Sequence, residues 1–187
     1  MITNSYYTPG TPLVDVITLE LAKQQLKIES DFTEEDTLIQ GYIAAAIEVV
    51  ENYLGRAIHP RTFTMELDKF DAEIEFAKCW ETDAIQELVY YSTGETTTTV
   101  LDPTVYVLRN SSTINCKLLK FKTITPTDVR DDAVKITITQ GLTVETIPAP
   151  LKQAMLLILS DMYEKRDDRE IGVNSSANAL MRPYRRF

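Results

Sequence analysis

The sequence predicts an α+β protein: a small helical bundle, two N-terminal helices plus one C-terminal helix, with an inserted all-β lobe. Three observations predict it. Apolar residues recur at helical spacing over residues 33–54. From residue 61 the period turns to alternation and stays so, in short runs, to about 141. Helical spacing then returns behind Pro148 and Pro150. The 187 residues, 44% hydrophobic and 25% charged, are globular in composition, which excludes collagen-like and disordered classes. Two cysteines, Cys79 and Cys116, are too few for a disulfide scaffold and read as thiols of a reducing compartment. No secretory signal opens the chain, and the most apolar run, Ala154 to Leu159, is far too short to span a bilayer.

Residues 1–17 read as an extended arm. It carries Pro9, Gly10 and Pro12, and it is ordered only if something pins it. Thr18 is placed as the N-cap of a short helix, 18–27, with Glu20 in its first turn and Leu19, Ala22 and Leu26 on one face. An acidic loop leads to the strongest helix, about 33–54. Thr33 is its expected cap, and Ile39, Tyr42, Ile43, Ala46, Ile47, Val50 and Leu54 form its apolar stripe. Gly55 stands where a C-terminal glycine belongs.

After Pro60, Phe63, Met65 and Leu67 alternate with Thr62, Thr64, Glu66 and Asp68, so one side faces a core and the other water. Ile74 and Phe76 continue the pattern. Further strands are expected at 88–91, 96–101, 105–108, 114–121 and 134–139, with a turn at Ser92-Thr93-Gly94-Glu95. Leu151, Ala154, Met155, Ile158, Leu159 and Met162 then give the last helix its apolar face. The predicted organisation is an arm at 1–17, a helical core from 18–60 and 148–170, a β lobe at 61–147 and a flexible tail at 171–187. The three helices are expected to pack on one another through Ile43, Ile47, Val50, Met155 and Ile158.

The formal charge is −9, from 28 acidic and 19 basic residues, which argues against a surface that coats nucleic acid. The imbalance is uneven. Residues 1–60 carry nine acids and three bases, while 151–187 carry five acids and seven bases. Catalytic signals are sparse. His59 is the only histidine, no GxSxG elbow supplies a serine nucleophile, and no glycine-rich phosphate loop appears. A zinc site would lack motif spacing, and the sequence calls for no cofactor. Asp31, Glu34, Glu35 and Asp36 lack EF-hand spacing, and helix capping accounts for them. Glu66, Asp68, Asp71, Glu73 and Glu75 contain a conceivable carboxylate pair for glycoside hydrolysis, but alternation puts them more simply on the wet face of strands.

The C-terminal residues differ. Arg182, Pro183, Tyr184, Arg185, Arg186 and Phe187 combine arginine, aromatics and proline at the end of an acidic chain. Arginine and tyrosine anchor interfaces, and a flexible segment can order on a partner.

Val16-Ile17-Thr18-Leu19-Glu20-Leu21-Ala22-Lys23, then Asp36-Thr37-Leu38-Ile39 running to Glu48-Val49-Val50-Glu51-Asn52-Tyr53-Leu54-Gly55-Arg56, resemble the head–tail connector (adaptor) proteins of tailed bacteriophages. So do Ile147-Pro148-Ala149-Pro150-Leu151 through Leu157, Tyr163-Glu164-Lys165-Arg166 and Leu180-Met181-Arg182-Pro183-Tyr184-Arg185. Leu101-Asp102-Pro103-Thr104-Val105-Tyr106 fits the longer branch of that family, which carries a β insertion. The resemblance implies a structural virion protein of a phage or prophage, not an enzyme, sited at the head–tail junction after assembly in the host cytoplasm. It implies a ring, typically of twelve copies, beneath the portal protein. The ring extends the DNA channel without sequence-specific binding and offers a platform to the tail or its stopper protein. It further implies that residues 182–187 reach the portal, and it involves no membrane. Two other classes stay open on the residues alone: a small β-rich hydrolase using a carboxylate pair, and a β-rich binding module without a virion role.

Overall fold

A computed structural model of the chain describes residues 2–8, 16–76, 79–110, 117–166 and 174–185. These fall into two compact units. One draws its residues from 1–12 and 59–142, the other from 13–58 and 143–187.

The second unit is helical. Helix α1, Leu19–Leu26, starts as the sequence predicts, with the Thr18 hydroxyl accepting from the Leu21 amide at 3.1 Å. Helix α2, Asp36–Leu54, begins three residues later than expected, and Thr33 does not cap it. The reason lies in the acidic loop. Asp36 is held by the buried Lys23 ammonium at 2.6 Å, and Lys23 also donates to the carbonyls of Phe32 (2.8 Å) and Ser30 (3.4 Å). The loop therefore wraps a lysine of α1 instead of entering the helix early. Gly55 ends α2 with φ 66, and its amide donates to the Glu51 carbonyl. Helix α3, Ala149–Glu164, packs against α1 and α2. Ile43, Ile47, Val50, Met155 and Ile158 are all buried, as their spacing requires.

The tail expectation fails for residues 174–185. Ser175–Met181 form helix α4, followed by a 3-10 turn at Arg182–Tyr184. Asn174 caps α4 by accepting from the Ala177 amide at 2.8 Å and donates to Asp161 of α3. Ala177 and Met181, one helical turn apart, are buried, and α4 packs on α3 and α2. The two-residue stripe is too short to register as periodicity among the serines and asparagines of 174–178.

The first unit holds two antiparallel sheets. The larger has the order β1-β2-β8-β4-β5, formed by Ile2–Thr8 (β1), Arg61–Leu67 (β2), Ala84–Tyr91 (β4), Thr98–Val100 (β5) and Val134–Gln140 (β8). The smaller has the order β3-β7-β6, formed by Glu73–Phe76 (β3), Tyr106–Asn110 (β6) and Lys117–Phe121 (β7). Residues 114–116 of the strand expected at 114–121 lie outside the described residues. Leu67, Phe76, Leu88, Leu119, Ile136 and Ile138 meet in one core, each nearly or wholly removed from water. Phe70 bridges the sheets, its ring 5.6 Å from Tyr90 on β4 and 5.0 Å from Phe121 on β7.

Part of the predicted arm is thus a strand. It is pinned by its ladder to β2, by the Thr3 hydroxyl on the Glu66 carbonyl at 3.1 Å, and by the Tyr7 ring tilted against Phe63 with centres 4.8 Å apart. The Arg61 guanidinium covers Tyr7 from 4.4 Å. At the end of β8, Gly141 has φ +111, and a Cβ there would lie 2.4 Å from the His59 carbonyl oxygen. Only glycine fits that approach.

Candidate functional site

The C-terminal residues singled out from the sequence sit on the helical unit. Met181 roots them in its core, and the turn that follows turns Arg182 and Pro183 outward, both exposed. Tyr184 is half-buried. The exposed Arg185 has its guanidinium 4.9 Å from the ring centre of Tyr53 on α2. Arg186 and Phe187 lie outside the described residues. The structure thus presents two arginines, a proline and a tyrosine on a braced turn. Such a set can pair with carboxylates and fill an apolar pocket.

A second cluster, which the sequence reading missed, braces the start of α2 against the end of α3. Tyr163 donates to the Glu35 carboxylate, and Arg166 grips both of its oxygens at 2.9 and 3.0 Å. The Tyr163 hydroxyl first and the Arg166 guanidinium second hold Glu35 below the ordinary carboxylate range, and the same bond raises Tyr163. Tyr42 meets Tyr163 edge-on at 6.5 Å. The only sequence signal was a tyrosine and an arginine one turn apart at the end of α3, with no hint of their partner.

Three of the five candidate carboxylates of the β unit fall on different sheets. Glu66 lies on the larger sheet, accepting from Asn4 at 3.1 Å with Lys135 at 3.9 Å. Glu73 and Glu75 lie on the smaller sheet, where Glu73 pairs with Lys120. A cleft of about 270 Å³ is lined by Glu66, Glu87, Tyr91, Thr98, Asp132 and Lys135. Arg130 binds Asp132, lowering its pKa, and stacks 3.6 Å above Tyr91.

The buried Cys79 is not activated: burial, with the Asp83 carboxylate beside it, pushes its thiol up to about 11. The Gln140 amide donates to its sulfur at 3.4 Å, and Cys116 lies outside the described residues. Asp83 accepts from the backbone amides of Trp80 at 2.8 Å and Gly141 at 3.1 Å, a structural task, while burial raises its pKa. Among the described residues no group of three or more His, Cys, Asp or Glu could hold a metal ion, and no helix is long and apolar enough to cross a membrane.

Residues 16–92 match the family described as phage gp6-like head-tail connector protein. The match takes in α1, α2 and the first strands of the β unit, including the segments 16–23 and 36–56 on which the sequence resemblance rests. No curated protein matches the chain. Among solved structures, a chain from the neck of an empty gene transfer agent particle computed with C6 symmetry is 18% identical with a TM-score of 0.75, covering 98% of this chain and 96% of that one. A chain from the virion of a native gene transfer agent particle is 18% identical with a TM-score of 0.74, covering 98% and 95%. A chain from the neck of the native particle computed with C12 symmetry is 17% identical with a TM-score of 0.71, covering 100% and 96%. These three likenesses concern the fold.

Proposed function

We propose that this chain is a head–tail connector: a structural, non-enzymatic protein of the neck of a phage or phage-like particle. It forms a ring under the portal, continues the DNA channel and offers the tail or a stopper protein its seat. The observation that carries this reading is the connector-family match over residues 16–92. The fold likeness to neck chains of a particle agrees with it over nearly the whole chain. In this reading the copy number is twelve, and the particle's head–tail junction is its site after assembly in the host cytoplasm. The formal charge of −9 suits a channel wall, because carboxylates repel phosphate and let a duplex slide where lysines and arginines would retain it.

The portal-facing group is assigned to Arg182, Pro183, Tyr184 and Arg185, with Arg186 and Phe187 following. The braced turn supports this, since its arginines need little further ordering before they meet carboxylates. One such contact is weak, but a ring of them engages at high effective concentration.

Sedimentation of the full chain alone and with portal tests the function. At low concentration the chain alone sediments as a monomer, and with portal the mass rises by a ring of copies. An unchanged mass on mixing overturns the connector reading.

A further inference from the structure

We propose that the ring is closed by strand pairing: the outer edge of β1 in one copy joins the outer edge of β5 in the next. This rests on the connector reading, which supplies the neighbouring copy.

The two edges of the larger sheet share an unusual composition. Sheets in free proteins protect their edges with lysine, proline, inward charges or bulges, because bare N–H and C=O groups recruit other strands. Strand β1, Ile-Thr-Asn-Ser-Tyr-Tyr-Thr, holds no charge and no proline, and all seven residues are exposed. Its one irregularity falls between Ile2 and Asn4, which leaves Asn4–Thr8 in regular register with β2. Its inner side is fully engaged, so the strand is an ordered template. At the opposite edge, β5 and its flanks read Thr96-Thr97-Thr98-Thr99-Val100-Leu101, again without charge, and Val100 is 66% exposed. Among the described residues neither outer edge pairs with another strand. A chain with 47 charged residues leaves them off both edges of one sheet.

Topology then selects the partner. The four pairings along β1-β2-β8-β4-β5 are all antiparallel, so direction reverses four times and β1 and β5 run the same way. A rotation about an axis along the strands therefore brings the β5 edge of one copy beside the β1 edge of the next, in parallel. That contact is heterologous and repeats until the ring closes. A two-fold would instead pair β1 with β1, antiparallel, and stop at two copies. The Leu101 amide donates inward to Leu88 at 2.9 Å, so by alternation the amides and carbonyls of Thr98 and Val100 face outward. With three residues in β5, each joint is short, so it holds only where many close together.

The test uses full-length protein with the photoreactive residue p-benzoylphenylalanine in place of Ser5 or Tyr6, which point to opposite faces of β1. Isotope-labelled and unlabelled copies are mixed, assembled on portal, irradiated and mapped by mass spectrometry. Adducts between labelled and unlabelled copies within residues 96–101 are the expected result. Thr98→Pro, which removes one outward amide, and Val100→Lys, which adds a charge to the edge, should shift the assembled mass from ring to monomer without changing the melting of the free subunit. Rings that form while adducts reach only β2, or β1 of another copy, or while both edge variants assemble normally, overturn edge pairing and leave the connector reading intact. No ring on portal overturns both.

Discussion

Glu35 carries a testable acid dependence. Its folded pKa lies below the ordinary value of 4.5, first through the Tyr163 hydroxyl and then through Arg166. A carboxylate depressed by folding contributes stability that is present above its unfolded pKa and lost as pH falls through the folded one. Thermal melts from about pH 7 down to about pH 3 should therefore show wild type more stable than Glu35→Gln at the upper end, with the two curves converging in acid. A constant gap would mean that the carboxylate's charge plays no part in the clamp. Asp83 has the opposite sign. Burial raises its pKa, so its ionisation withdraws stability as pH rises. Its two backbone amide bonds justify keeping it, since both donors would otherwise be buried without an acceptor.

Helix α4 shows what seven residues need in order to be a helix. So short a segment does not persist alone in water, because nucleation costs more than a few hydrogen bonds return. Its stability comes from the Asn174 cap and from Ala177 and Met181 buried against α3 and α2. Met181→Ala should cost roughly 2–3 kcal/mol, within the range for truncating a buried methionine. It should also speed hydrogen exchange over 174–185 more than over α2. Exchange rising equally through both helices would make α4 an integral part of the bundle and not a docked segment.

For the whole molecule, the anchored end of the chain changes how portal attachment is tested. Removing residues 179–187 would strip Met181 from the core, so a loss of attachment could reflect damage to the bundle. The triple variant Arg182→Ala, Tyr184→Ala, Arg185→Ala leaves Met181 in place, and two of its three sites are exposed. The melting temperature of the variant should stay close to that of wild type, with its co-sedimentation with portal reduced at least about tenfold, as for loss of hot-spot contacts. Equal attachment by variant and wild type would remove this turn from the portal interface. The acids of the chain pose no comparable problem, because those the structure pairs, Glu35, Asp36 and Asp132 among them, serve the fold of their own unit.

Local signals by themselves determined α1, α2, α3 and most of the strands. Each is long enough for its period to show against noise: Ile39, Ile43, Ala46, Ile47, Val50 and Leu54 define one helical face whatever surrounds them. The Thr18 cap and the Gly55 stop are likewise properties of the adjacent backbone. Tertiary structure alone decided the rest. Ile2–Thr8 is a strand because β2, some sixty residues on, offers it an edge, and nothing within 2–8 encodes that partner. Helix α2 starts at Asp36 because the preceding loop wraps Lys23, which holds Asp36 and the carbonyls of Ser30 and Phe32. The tail became α4 because two buried side chains found a groove between α3 and α2. In each case the deciding energy is a contact between residues far apart in the chain, which periodicity and capping, acting over one or two turns, cannot carry.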